Sequence, residues 1–112
     1  MNIQILGIKK CFETKKAERY FKERRIKYQL VYLNEKPLSK RELESVRANV
    51  ELKELIDIKS KDYEKSNIKH MREDSVKQEI LLNNPKLYKT PIVRNGRQAT
   101  VGYKPDVWKE WE

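Results

Sequence analysis

The sequence predicts an α/β domain built on a four-stranded mixed sheet flanked by helices. Three observations carry that expectation. An apolar run over residues 3–8 is followed by a helical pattern and then by an alternating, β-rich run over residues 27–33. Asn95-Gly96 separates two further β-rich runs, the signature of a tight antiparallel hairpin. Between these halves, residues 39–84 are charged and helix-patterned. The order is βαβ, a helical insert, then ββα. Strands joined by a crossover helix lie parallel, and the hairpin supplies the antiparallel pair.

The elements follow in order. The first strand is read over residues 2–7 and the first helix over 12–24, where Ala17, Tyr20 and Phe21 share one face at three- and four-residue spacing. Residues 27–33 alternate and are rich in β-formers, hence a second strand. After Pro37, Ser39-Lys40-Arg41-Glu42 is a capping box: the serine oxygen accepts from the N3 amide while Glu42 reaches back. That helix runs through Leu43, Val46 and Arg47, with Asn49 as its left-handed stop, and Leu52, Leu55 and Ile56 continue in a short helical turn. Within residues 57–74, Tyr63, Ile68 and Met71 are the apolar anchors. Asp74 or Ser75 is read as the cap of a helix carrying Val76, Glu79, Ile80 and Leu81, ended by Asn83-Asn84-Pro85. Residues 91–94 form a strand, Asn95-Gly96 the turn, and 97–102 the returning strand. Pro105 suits the first turn of a last helix, where Val107, Trp108 and Trp111 offer apolar contacts. The two tryptophans read as core and rim packing, since a stacking platform for nucleic acid needs basic residues around exposed rings.

One hundred and twelve residues suit one domain, 1–112, with a single core. Apolar and charged residues are each 38%, but the apolar ones cluster in periodic segments, unlike a disordered chain. No segment approaches the ~20 apolar residues of a membrane span, and lysines follow the first apolar run directly, unlike a signal peptide. With one cysteine, no intrachain disulfide is available, and the expected location is the cytoplasm. The net charge of +9 permits contact with nucleic acid or an acidic protein. Carboxylates are interleaved with it, however, so it reads as a solvated basic surface that attracts small anions, and sequence-specific nucleic-acid binding is not expected. His70, the only histidine, has no companion ligand, so no metal site is expected.

Cys11 is the candidate reactive residue. It falls between the end of a strand and the start of a helix, where free backbone N–H groups and the positive end of the helix dipole favour thiolate over thiol. Lys9, Lys10 and Lys15 act in the same sense. Partly exposed cysteines in such settings are nucleophiles of redox enzymes; the other reading is a small buried hydrophobe. Thr14 is placed to hydrogen-bond the sulfur. Thr90-Pro91 opens the third strand. Its peptide bond is either an ordinary trans bond at a strand start or a cis bond that brings the Thr90 backbone beside Cys11. Arg94 and Arg97 flank the hairpin as solvated charges or as a hold on a thiol's carboxylate, and Tyr103 and Lys104 are candidates for the same mouth.

Four segments resemble the arsenate reductase ArsC/Spx/YffB group of thioredoxin-like proteins. They are Gly7-Ile8-Lys9-Lys10-Cys11-Phe12-Glu13-Thr14-Lys15-Lys16-Ala17, Pro37-Leu38-Ser39-Lys40-Arg41-Glu42-Leu43, the run Asn84-Pro85 through Thr90-Pro91-Ile92-Val93, and Val101-Gly102-Tyr103-Lys104-Pro105-Asp106. The resemblance spans nearly the whole chain in order and spacing and is nearest the single-cysteine YffB type. It implies a thioredoxin-like fold, a cis Pro91, and Cys11 as a nucleophile that attacks an oxidised sulfur or an oxyanion. It implies resolution by an external thiol, glutathione or a small redox protein, with no tightly bound cofactor. The departures are specific. Thr14 stands where Spx-type regulators carry the second cysteine of C-x-x-C, and Lys15, Lys59 and Thr90 stand where arsenate reductases carry arginines. A lysine does not reproduce a bidentate guanidinium clamp, which argues against efficient arsenate reduction. The competing expectation is an Spx-like regulator that binds RNA polymerase through its basic insert without catalysis.

Overall fold

The computed structural model describes residues 1–112. Strand β1 (Ile3–Gly7) leads into helix α1 (Phe12–Glu23), which returns the chain to β2 (Tyr28–Tyr32) parallel to β1, in the register Ile3 opposite Tyr28 to Gly7 opposite Tyr32. Strands β3 (Ile92–Asn95) and β4 (Gln98–Val101) form the hairpin, and β3 pairs antiparallel with β1. The strand order is β2-β1-β3-β4, so β1 is central and β4 is an edge. The mixed four-stranded sheet flanked by helices is the one the sequence predicts.

Alternation along β1 and β3 divides the core into two layers. Ile3, Ile5 and Val93 face α1 and α5 (Pro105–Glu110), where they meet Ala17, Tyr20, Phe21 and the fully buried Trp108. The indole N–H of Trp108 donates to Thr100 Oγ1 at 2.8 Å, which supplies the partner a buried tryptophan needs. Leu6 and Ile92 face the other way, into a larger cluster with Leu33, Leu38, Leu43, Val46, Leu55, Ile68, Leu81 and Leu87. That layer is the insert: α2 (Lys40–Arg47), a 3₁₀ turn at Leu52–Leu55, α3 (Lys61–Lys65), a second 3₁₀ turn at Ile68–His70, α4 (Asp74–Asn83) and a third at Pro85–Leu87.

The capping box forms as read: Ser39 Oγ accepts from the Glu42 amide, and Glu42 Oε1 accepts from the Ser39 amide. Four local readings are corrected. Asn49 is not left-handed; only Arg25 and Asn67 among non-glycines have positive φ. Its side chain instead donates to the Arg97 carbonyl, tying the end of α2 to the hairpin. The hairpin turn is Gly96-Arg97, one residue later than expected, because Asn95 pairs with Gln98. Gly96 takes the positive φ of +60° at the first turn position, where glycine is favoured. Helix α4 is entered from Glu73, ahead of Asp74 and Ser75, without a side-chain cap. Its Val76 faces solvent, and the inward side is shared by Leu81 and Gln78: Gln78 is buried, accepts from Arg47 at 2.7 Å and donates to Glu44 at 3.4 Å. Helix α3 has no apolar periodicity to mark it in the sequence; Ser60 caps it by accepting from the Asp62 amide.

Candidate functional site around Cys11

Gly7 ends β1 because nothing larger fits. A Cβ there would overlap Thr14 Cγ2 and Oγ1, so its absence lets the first turn of α1 settle on the strand end. That contact fixes Cys11 as the N-cap of α1, in extended conformation, with its N–H donating to Ile8 O at 3.0 Å. No side chain caps the first turn, so the amides there remain available, as a helix start requires of some partner.

The Thr90-Pro91 bond is cis, as the resemblance implies. Thr90 meets the sulfur twice. Its hydroxyl donates to Cys11 Sγ at 3.1 Å, and its carbonyl lies 3.7 Å from Sγ, within reach of a thiol proton. Pro91 is buried, and its carbonyl accepts from the Gly102 N–H at 2.8 Å, which brings Tyr103 to the same end of the sheet. Cys11 itself is half-buried and free.

The other expected site residues divide. Thr14 does not hydrogen-bond the sulfur. It is buried against Gly7, and its Oγ1 has no partner, because the close packing of helix on strand aims it inward. The hydroxyl that reaches Sγ belongs to Thr90, which the sequence offered as a backbone partner beside the proline and as the residue at an arginine position. Lys9 is engaged elsewhere, by Glu35 at 3.5 Å and over the Tyr32 ring at 5.5 Å. Lys10 and Lys15 are exposed, and no lysine hydrogen-bonds Sγ. Arg94 is not at the mouth. It pairs with Glu42 at 3.4 Å and Gln4 at 3.3 Å, toward the opposite end of β1. Arg97 lies in the hairpin turn at that same end. Lys59 is exposed on the turn Asp57–Ser60, which is fastened by the Ser60 hydroxyl to the Lys86 carbonyl. Lys104 lines a groove of about 450 Å³ along the β4 edge with Val50, Val107 and Trp111, away from Cys11. Tyr103, next in the chain to Gly102, lies edge-on to Trp108 at 5.5 Å. No group of three or more His, Cys, Asp or Glu is placed to hold a metal ion.

A cysteine at the N-cap of the first helix, met by the residue before a cis-proline at the start of an antiparallel strand, defines this mixed sheet as a thioredoxin-like one. Within that class the chain belongs to the ArsC family, which residues 6–111 match. It is similar to the uncharacterized protein YusI of Bacillus subtilis strain 168, with 28% identity over 98% of each chain. It is also 31% identical to the global transcriptional regulator Spx 2 of Oceanobacillus iheyensis, over 95% of this chain and 80% of that one. The crystal structure of an ArsC-family-related protein from Bacteroides fragilis matches its fold at a TM-score of 0.90, with 21% identity over 100% of this chain and 98% of the other.

Proposed function

We propose that the protein is a cytoplasmic thiol oxidoreductase that works through Cys11 alone. The observation that carries this reading is the 3.1 Å hydrogen bond from the Thr90 hydroxyl to Cys11 Sγ. A hydrogen bond to sulfur strengthens when the sulfur is an anion, and the uncapped helix start adds the favourable end of a dipole. In the reaction, the Cys11 thiolate attacks one sulfur of a disulfide. A Cys11 mixed disulfide forms and the second sulfur leaves as a thiolate. An external thiol such as glutathione then attacks the mixed disulfide, frees Cys11 and carries away the new disulfide. The polar atoms of Thr90 beside Pro91 would orient the incoming sulfur. With Lys15, Lys59 and Thr90 at the arginine positions named above, an oxyanion such as arsenate has no bidentate clamp, so a disulfide is the preferred substrate.

The test is exchange with 2-hydroxyethyl disulfide in the presence of glutathione. Wild type turns over, Cys11→Ser does not, and a trapped protein–glutathione adduct maps to Cys11. A wild-type rate no higher than that of Cys11→Ser defeats the reading.

A regulatory reading draws on one observation, the 31% identity to a global transcriptional regulator. On that reading the basic insert docks RNA polymerase. Lys53 and Lys69 are already paired within the insert, to Glu51 and Glu64, which leaves Lys59, Lys61 and Lys65 for a partner. Capture of polymerase subunits by wild type and by Cys11→Ser, lost on charge reversal of those three lysines, selects this reading instead.

A further inference from the structure

The solvent face of α1 carries an arrangement that exchange at Cys11 does not itself require. Thr14, Ala17 and Phe21 are buried against the sheet, so at 100° per residue Phe12, Lys16 and Arg19 share the opposite face. Phe12 directly follows the cysteine and is 71% exposed, the most exposed large apolar side chain of the molecule. One exposed ring alone is ordinary. This one has company: Lys16 Nζ lies 5.1 Å from the Phe12 ring centroid and 5.6 Å from that of Tyr103, so one ammonium spans two exposed rings. Phe12 follows Cys11 in the chain, and Tyr103 follows Gly102, whose N–H donates to the carbonyl of Pro91 next to Thr90.

From Tyr103 a groove of about 320 Å³ continues along α1 between Lys16, Arg19, Arg24 and Pro105, with Glu23 as its one carboxylate. Neither Lys16 nor Arg19 has a carboxylate within ion-pair distance. The groove is therefore cationic and open to an anionic occupant. Phe12 to Arg19 spans seven helical residues, roughly 10 Å, which three or four residues of extended chain would cover.

We propose that this face docks an acidic segment of a partner protein, which sets an apolar side chain against Phe12 and Tyr103, sets carboxylates against Lys16 and Arg19, and presents its disulfide sulfur to Cys11. The proposal rests on Cys11 being the exchanging thiol and names the class of its substrate. Charge complementarity selects the acidic segment, and the two rings select the apolar residue beside the sulfur. Exchange follows the balance given above: the Cys11–partner disulfide forms as the partner's other sulfur leaves as a thiolate.

Two peptides test it. One carries leucine beside its cysteine followed by three glutamates; the other has glutamines in place of the glutamates. Each is joined to 2-mercaptoethanol as a mixed disulfide, and each rate is divided by the rate with 2-hydroxyethyl disulfide on the same protein. The expected ratio is about tenfold higher for the acidic peptide, as electrostatic steering allows. It falls to that of the glutamine peptide in 0.5 M salt and in Lys16→Gln/Arg19→Gln, and drops for both peptides in Phe12→Ser. Equal ratios for the two peptides on wild type overturn the proposal. Binding of the acidic peptide with serine in place of cysteine, followed by fluorescence anisotropy, reads docking without chemistry. Binding weakened about tenfold by Lys16→Gln/Arg19→Gln supports the proposal even where 2-hydroxyethyl disulfide fails to react, a failure that would count against the exchange reading. Binding indifferent to those substitutions overturns it.

Discussion

Replacing Thr90 by valine removes the hydroxyl from Cys11 while keeping the shape of the side chain. Thr90 Oγ1 is 3.1 Å from the sulfur, and the carbonyl contact at 3.7 Å is untouched. A hydrogen bond to a charged group is worth about 1 kcal/mol more than one to a neutral group. Because both residues are half-exposed, the low end of that range applies. A difference of about 1 kcal/mol corresponds to about a fivefold fall in the thiolate-to-thiol ratio. The remaining thiolate, no longer hydrogen-bonded by Thr90, is a better nucleophile by about twofold, from a Brønsted slope of about 0.4–0.5. The two effects oppose each other. At pH 7, Thr90→Val should alkylate with iodoacetamide about two- to threefold more slowly than wild type. At pH 10, where a free cysteine is ionised, it should alkylate about twofold faster. Pseudo-first-order rates at the two pH values, with thermal melts as a check on folding, measure the crossover. A variant slower at both pH values, or indistinguishable at both, refutes the role given to the hydroxyl.

Other outcomes follow from features nearby. Gly7→Ala should cost about 1–3 kcal/mol in urea unfolding, the usual range for overpacking, and much of that cost should vanish in a Thr14→Ala background, which removes Cγ2 and Oγ1, the two atoms it would strike hardest. Thr14→Val should be neutral or stabilising, since the buried Thr14 Oγ1 has no partner to lose. Trp108→Ala should cost about 3–5 kcal/mol, because it empties the centre of the α1–α5 layer. Tyr28 titrates at about 12, raised by burial and then by its hydrogen bond to Glu18 and that carboxylate's charge. The folded state thus holds this proton more tightly than the unfolded chain. Its contribution is complete below about pH 10 and lost as pH rises toward 12. Urea midpoints from pH 9 to 12 should fall in wild type and fall less in Tyr28→Phe.

Much of the architecture was written in local pattern. The apolar run of β1, the i,i+3,i+4 face of α1, the Ser39–Glu42 box and Pro105 at a helix start each map onto a contact found in the fold. What failed was what tertiary contacts decide. Asn49 has the composition of a left-handed cap, but the hairpin offered its side chain a carbonyl instead. Val76 suits an apolar face, but α4 turns Leu81 inward together with Gln78, which Arg47 and Glu44 hold by hydrogen bonds, and leaves Val76 outside. At the site, Cys11 and Pro91 were legible from chain position and resemblance. Which hydroxyl reaches the sulfur was not, because Thr14 and Thr90 are 76 positions apart in sequence and only the depth of the Gly7 contact turns one away and leaves the other. The partner of Arg94, Glu42, lies 52 positions earlier and also serves as a helix cap, so no local pattern shows the pair. The signal for Phe12 was present throughout, a large ring in the polar stripe of an amphipathic helix.

The insert between β2 and β3 resembles an appendage, yet its Leu55–Asp57 segment is laced to the run that leads into Thr90. The amide of Asp57 donates to the Leu87 carbonyl and the amide of Lys89 to the Leu55 carbonyl, both at 2.8 Å, around the Ile56–Tyr88 bridge. These two bonds end one residue short of Thr90. A minimised version of the protein, with the insert cut to a short loop, would strip the lacing and leave the approach to Thr90 without a splint. It would also uncover Leu6 and Ile92, whose core layer the insert supplies, so such a version is expected to lose sheet signal by circular dichroism together with the pH crossover between wild type and Thr90→Val. The insert is in that sense both half of the core and the support of the segment whose Thr90 meets the Cys11 sulfur.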